Sequence, residues 1–124
     1  MEFNVDEAIE KWGLTDEEFD ENMNEVFGQL ALFNEKTENP SFILVGGQAG
    51  SGKSALVAKE YQRLGENAII IDQDELRTKY PKAKYQQIHD NCTEREEYLI
   101  LKPYISKAIL ALKTKAEECG YNII

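Results

Sequence analysis

An apolar run, Phe42-Ile43-Leu44-Val45, leads past one glycine into Gly47-Gln48-Ala49-Gly50-Ser51-Gly52-Lys53-Ser54, and a helix-forming stretch, Ala55-Leu56-Val57-Ala58-Lys59, follows at once. No other feature constrains the chain so tightly. A Gly-rich turn between a strand and a helix aims successive backbone N–H groups at an anion, and the helix N-terminus adds its partial positive charge. This is the Walker A pattern, and phosphate is its expected guest. In that scheme Lys53 reaches the β- and γ-phosphates, Ser54 places its hydroxyl on Mg2+, and Gly47, Gly50 and Gly52 supply torsions and close approach that side chains forbid. Gln48, Ala49 and Ser51 complete the cofactor-binding loop. A merely flexible Gly-Ser linker would not need the strand before it or the helix after it.

The rest of the chain alternates in the same manner. Residues 5–12 read as a short helix stopped by Gly13, with Trp12 as a packing residue. Thr15 and Glu18 form a capping box, followed at near-helical spacing by Phe19, Met23, Val26, Phe27, Leu30 and Leu32-Phe33, with Gly28 tolerated inside. After the break at Glu38-Asn39-Pro40 a strand is expected over 41–46, then a helix over 53–64 closed by Gly65. Ala68-Ile69-Ile70-Ile71-Asp72 has the look of a parallel strand buried on both faces. A short helical stretch then runs from near Asp74 to Pro81. Thr93 and Glu96 make a second capping box, opening a long helix to about Glu118, with a bend at Pro103, a stop at Gly120, and another strand opening at Tyr121-Asn122-Ile123-Ile124. The pattern implies an α/β chain with a parallel sheet flanked by helices.

Charge and cysteines exclude several functions. The net charge of −9 sits at the start: residues 1–39 hold 12 Asp/Glu against 2 Lys, a net of −10, and the remainder is close to neutral. A segment of that sign repels a nucleic-acid backbone, so DNA and RNA are not expected partners. It also reads simply as a solvated helix face. No apolar run reaches the length of a membrane span, and the N-terminus has neither the basic start nor the apolar stretch of a secretory signal, which points to the cytoplasm. Cys92 and Cys119 suit a reducing compartment, and His89-Asp90-Asn91-Cys92 lacks the second half of a metal site.

Asp72, Asp74, Glu75 and Arg77 stand at the carboxyl end of the expected second strand, where ligands collect in open α/β sheets. Such a carboxylate can take the proton from an attacking hydroxyl or hold Mg2+ through water, and Arg77 offers a cation for charge on a moving phosphoryl group. The plain alternatives are a solvated turn with Asp as a helix cap, and an Arg paired to a helix-face carboxylate.

Taken together, Val45-Gly46-Gly47-Gln48-Ala49-Gly50-Ser51-Gly52-Lys53-Ser54, Ile70-Ile71-Asp72-Gln73-Asp74-Glu75-Leu76-Arg77, Tyr80-Pro81 and Gly120-Tyr121-Asn122-Ile123-Ile124 resemble the zeta toxin family in order and spacing, over roughly residues 15–124. Family members are toxins of bacterial toxin–antitoxin systems, kinases that use ATP to phosphorylate the 3′-hydroxyl of the N-acetylglucosamine in UDP-N-acetylglucosamine. The resemblance implies ATP and Mg2+ as cofactors, UDP-N-acetylglucosamine as acceptor and an antitoxin protein as partner. It implies that Lys53 and Ser54 bind nucleotide, that Asp74 is the general base, and that Asp72 is the acid ending the second strand. Tyr80 stands where many members have His, and Ala49 where many have Pro.

The implied fold is a P-loop NTPase-like parallel sheet flanked by helices, one kinase domain over 1–124 with an acidic helical segment, 1–39, packed on it. In the family the strand after Tyr-Asn-Ile-Ile runs into an acidic-Gly-Thr segment, and a lid then supplies arginines for the transferred phosphate. The sequence stops at Ile124, so the expectation is the N-terminal portion of such a kinase, lacking the later strands and lid. Loss of a cationic finger costs ~10³ to 10⁵ in rate, so poor turnover is expected. Two other readings remain: a non-catalytic nucleotide-binding or antitoxin-binding module, and another small-molecule kinase with the same phosphate loop.

Overall fold

Asn4 opens the first helix by accepting the Glu7 N–H on its side-chain oxygen, and α1 runs over Val5–Trp12. The computed structural model describes residues 2–44 and 52–124. Gly13 ends α1, but not through a left-handed torsion: its φ is −72°, and a Cβ there would lie 2.2 Å from the Ile9 carbonyl oxygen. Close approach, not backbone freedom, demands glycine. The expected capping box then forms in full, Thr15 N–H to Glu18 Oε1 at 3.0 Å and Glu18 N–H to Thr15 Oγ1 at 3.1 Å, and starts α2, Asp16–Ala31.

The helices that follow are α3, Lys53–Arg63; α4, Gln73–Thr78; α5, Lys82–Asn91; and α6, Glu94–Cys119. Thr93 and Glu96 close the second capping box ahead of α6. Gly65 and Gly120, at φ +69° and +84°, end α3 and α6 in Schellman geometry; Glu66 N–H returns to the Tyr61 carbonyl and Tyr121 N–H to that of Ala116, each at 2.9 Å. Gly28 is exposed inside α2, and a Cβ there meets nothing within 4 Å. Gly28→Ala is therefore expected to raise the unfolding free energy by about 0.5–1 kcal/mol, read as a higher urea midpoint with unchanged slope.

The expected parallel sheet is not what the structure shows. Among the described residues there is no strand, only isolated parallel bridges that join Phe42 to Ile123 and Ile69 to Ile123. The backbone bonds are well made: Ile123 N–H to the Ser41 carbonyl at 2.9 Å, Ile43 N–H to that of Ile123 at 3.0 Å, and Ile69 N–H to that of Asn122 at 2.8 Å. Among the described residues each pairing spans one bridged residue. The expected strands at 41–46 and 68–72 are therefore corrected to single bridges at Phe42 and Ile69, residues 45 and 46 lying outside the described residues. The described chain is chiefly helical.

Two compact units divide it. One comprises residues 1–26 and 72–111. There α1 packs on α5, and Phe19, Met23, Ile88, Leu101 and Tyr104 are buried. The Tyr104 ring meets those of Phe19 and Tyr80 edge to face, at centroid distances of 6.0 and 4.9 Å. Their polar tips are satisfied. Tyr104 Oη donates to Asn22 Oδ1, the Asn22 amide donates to the Lys79 carbonyl, and Tyr80 Oη donates to the Trp12 carbonyl at 2.7 Å. Burial pushes the Tyr80 phenol up to about 12. Lys84 Nζ reaches both the Gly13 carbonyl and Glu18 Oε1, joining the end of α1 to the start of α2.

The second unit comprises residues 27–71 and 112–124. Its core is Ile69, Ala116 and Ile123, with Phe27, Leu30, Ala31, Ile71 and Tyr121 against it. Asn122, 7% exposed, is the buried polar residue among those described in this unit: its Oδ1 accepts the Ser41 N–H at 2.8 Å and its Nδ2 donates to the Asn67 carbonyl at 2.9 Å. Leu32 and Phe33, expected on the apolar face of α2, lie past its end and are exposed, Phe33 at φ +70°. No helix among the described residues is long and apolar enough to cross a membrane.

Candidate functional site

Gly52 holds φ +87° and ψ 10°, the left-handed region that a side chain resists, and serves as the N-cap of α3 without any side-chain bond. The first α-helical bond of α3 is Leu56 N–H to the Gly52 carbonyl at 3.1 Å, so the N–H groups ahead of it have no acceptor within the helix. Lys53 and Ser54 occupy that first turn, and both are exposed. Donors, dipole and ammonium thus gather at one end of an eleven-residue helix. Gly47, Gln48, Ala49, Gly50 and Ser51, the remaining residues of the expected phosphate loop, lie outside the described residues.

The second group of candidate residues is on α4, in the other unit. Asp72 is its N-cap, and one carboxylate oxygen accepts the Asp74 N–H at 2.8 Å. The plain reading of Asp72 as a cap is thereby correct. Asp74 and Glu75 follow in the first turn, both exposed. Arg77 is three residues beyond Asp74, on the same side of the helix, and half-buried. Its Nε is fully buried and has no hydrogen-bond partner among the described residues.

A cluster elsewhere in this unit was not legible in the sequence. Tyr85 and His89 stand one turn apart on α5, rings stacked with centroids 6.2 Å apart, and Glu97 on α6 brings its carboxylate to 3.8 Å from His89 Nδ1. Hydrogen bonding to Glu97 holds the Tyr85 phenol above its ordinary value, burial and the Glu97 charge add to this, and the Arg77 charge acts in the opposite direction. All four side chains belong to the same unit.

For magnesium, the donor set fits in kind. The described residues contain no cluster of three His, Cys, Asp or Glu side chains. Mg2+ does not ask for one, since it takes one or two protein oxygens and completes its shell with water and substrate phosphate. The exposed Ser54 hydroxyl of the second unit is an oxygen of that type, and so, in the first unit, is a carboxylate oxygen of exposed Asp72.

The Zeta toxin family profile matches residues 24–124. Toxin zeta of Streptococcus pyogenes is 27% identical over 113 residues, 89% of this chain and 37% of that protein. Toxin PezT of Streptococcus pneumoniae serotype 4 is 29% identical over 111 residues, 89% of this chain and 42% of the relative. Among solved structures, a chain from the PezAT chromosomal toxin–antitoxin system of Streptococcus pneumoniae superposes with a TM-score of 0.74 at 29% identity, covering 90% of this chain and 45% of that one. The chain thus spans less than half the length of these relatives.

Proposed function

Because the chain belongs to the zeta toxin family, we propose that it acts as an ATP-dependent phosphotransferase of zeta type, moving the γ-phosphate of ATP to the 3′-hydroxyl of the sugar in UDP-N-acetylglucosamine. The observation that carries this reading is the first turn of α3, where exposed Lys53 and Ser54 follow a left-handed Gly52 at the end of a Walker A sequence. Lys53 and the first-turn amides bind the nucleotide phosphates and neutralise charge there. Bound Mg2+ would supply charge neutralisation on the phosphate oxygens, with the Ser54 hydroxyl as its ligand from α3.

Asp74 is exposed at the start of α4 and is the general base. The sugar hydroxyl oxygen bonds to the γ-phosphorus, its proton passes to the Asp74 carboxylate, and the bond from phosphorus to the ADP oxygen breaks. Arg77, on the same side of α4, carries a cation toward the transferred group. As a toxin of this family the protein would work in the cytoplasm, restrained by an antitoxin protein.

The test is mass spectrometry of UDP-N-acetylglucosamine incubated with Mg-ATP and the chain. A phosphate-sized mass gain is expected, and Asp74→Asn is expected to slow its appearance by about 10²- to 10⁴-fold, the usual contribution of a positioned base. Nucleotide binding with no mass gain would instead favour a nucleotide-binding or antitoxin-binding module. A gain that Asp74→Asn leaves intact would remove Asp74 from the mechanism.

A further inference from the structure

The helix on which Asp74 stands, α4, is six residues long. A single turn and a half fixes more backbone torsions than its own bonds repay, so the place of such a helix is set by what grips it from outside. Leu76 is buried and holds the middle, and the Asp72 cap closes the start. The end is Lys79, the C-cap, whose carbonyl takes a hydrogen bond at 2.9 Å from the side-chain amide of Asn22, 57 residues earlier on α2.

A second bond directs the first. A carbonyl can only accept, so the Asn22 nitrogen must face Lys79, and its Oδ1 is thereby turned to Tyr104 on α6, whose hydroxyl donates to it. Tyr104 is buried, and its ring stands edge to face on that of Tyr80, the residue after Lys79. Tyr80 is buried as well and donates to the Trp12 carbonyl at the end of α1. Residues 79 and 80 are thus held from α1, α2 and α6, all within the first unit.

We infer that Asn22 is a positioning residue: through the Lys79 carbonyl it fixes the end of α4, and with it the helix that carries Asp74. Asn suits the task because one planar amide presents a donor to α4 and an acceptor to α6 from a single half-buried position on α2. The inference rests on the phosphotransferase reading for the work of Asp74, while the tie itself does not depend on it.

Two readouts test it, beginning with amide hydrogen exchange in the ligand-free chain. Asn22→Ala is expected to speed exchange of the Leu76 and Lys79 N–H groups, which bond to the Asp72 and Leu76 carbonyls, by about five- to tenfold, the change that loss of one ordinary hydrogen bond produces. The N–H groups of α6 should keep their wild-type rates. Tyr104→Phe, which leaves the amide but removes the donor that orients it, is expected to give a smaller increase at the same two groups. In phosphoryl transfer, Asn22→Ala is expected to lower kcat by about ten- to a hundred-fold, the scale of a small misplacement near a reacting centre, with the Kd for Mg-ATP unchanged because Lys53 and Ser54 belong to α3. Exchange that rises alike in α4 and α6, or stays at the wild-type rate in α4, would overturn the assignment, and so would an unchanged kcat with α4 loosened. If Asn22→Ala fails to fold, Tyr104→Phe decides by the same criteria. Faster exchange confined to α4 in the variants, together with no phosphoryl transfer by the wild-type chain, would keep Asn22 as the tie of α4 and overturn the kinase reading instead.

Discussion

Replacing Asn122 with Leu is expected to lower the unfolding free energy by about 2–4 kcal/mol, because two part-buried backbone groups lose their partners together and each such loss costs about 1–3 kcal/mol. The side chain does what a longer ladder would otherwise do. Its Oδ1 holds the segment at Ser41 and its Nδ2 the segment at Asn67, one on each side of Ile123, where the backbone pairs at single residues only. Asn122→Asp keeps the acceptor toward the Ser41 N–H but sets a carboxylate oxygen against the Asn67 carbonyl, acceptor to acceptor in a buried place, so its effect should be at least as large as that of Leu. Urea unfolding checks both. A loss below about 0.5 kcal/mol for Asn122→Leu, the range of an ordinary surface change, would mean that the bridges hold without it.

The second large effect concerns binding. Lys53→Ala is expected to raise the Kd for Mg-ATP by about ten- to a hundred-fold, since hydrogen bonds to charged groups contribute about 1.5–3 kcal/mol and each 1.4 kcal/mol is tenfold. Stability should barely move, because the Lys53 side chain is exposed in the first turn of α3. Calorimetric titration with a parallel unfolding curve tests both halves. Unchanged affinity would remove Lys53 from the phosphate site and with it the main support for the kinase reading.

Local signals in this sequence survived and long-range ones did not. Both capping boxes formed with the bonds their spacing implies, since a Thr and a Glu three residues apart need only their own turn. Gly65 and Gly120 ended their helices for the same local reason. By contrast α5 had no strong periodic signature: Ile88 is its buried residue, and what holds the helix is packing by α1 and the Lys84 contacts, made with residues over sixty positions earlier. The apolar runs at 42–45 and 68–72 were read as strands of a sheet, yet among the described residues each meets Ile123 at one bridged residue only, a pairing that is long-range and has no local signal.

The candidate site divides along the same line. Lys53 and Ser54 were legible because a phosphate loop is a contiguous motif, and Asp72 and Asp74 because they lie just past an apolar run. That Asp72 caps α4 was one of two readings the sequence allowed, and only the bond from the Asp74 N–H decides it. Tyr85, His89 and Glu97 had no signal, since the approach of His89 on α5 to Glu97 on α6 is a contact between helices. Tyr80 looked like a departure from the family pattern; its hydroxyl bond to the Trp12 carbonyl gives that departure a structural purpose.

Gly13 bears on how mutational tolerance in this protein should be read. A side chain there would collide with the Ile9 carbonyl at 2.2 Å, so the position admits glycine alone although it touches no chemistry. In a scan of all single substitutions Gly13 and Lys53 would both score as intolerant, one by loss of folded protein and the other by loss of nucleotide. An assay that reports abundance beside binding would separate the two, and positions intolerant in the second readout alone would trace the functional surface.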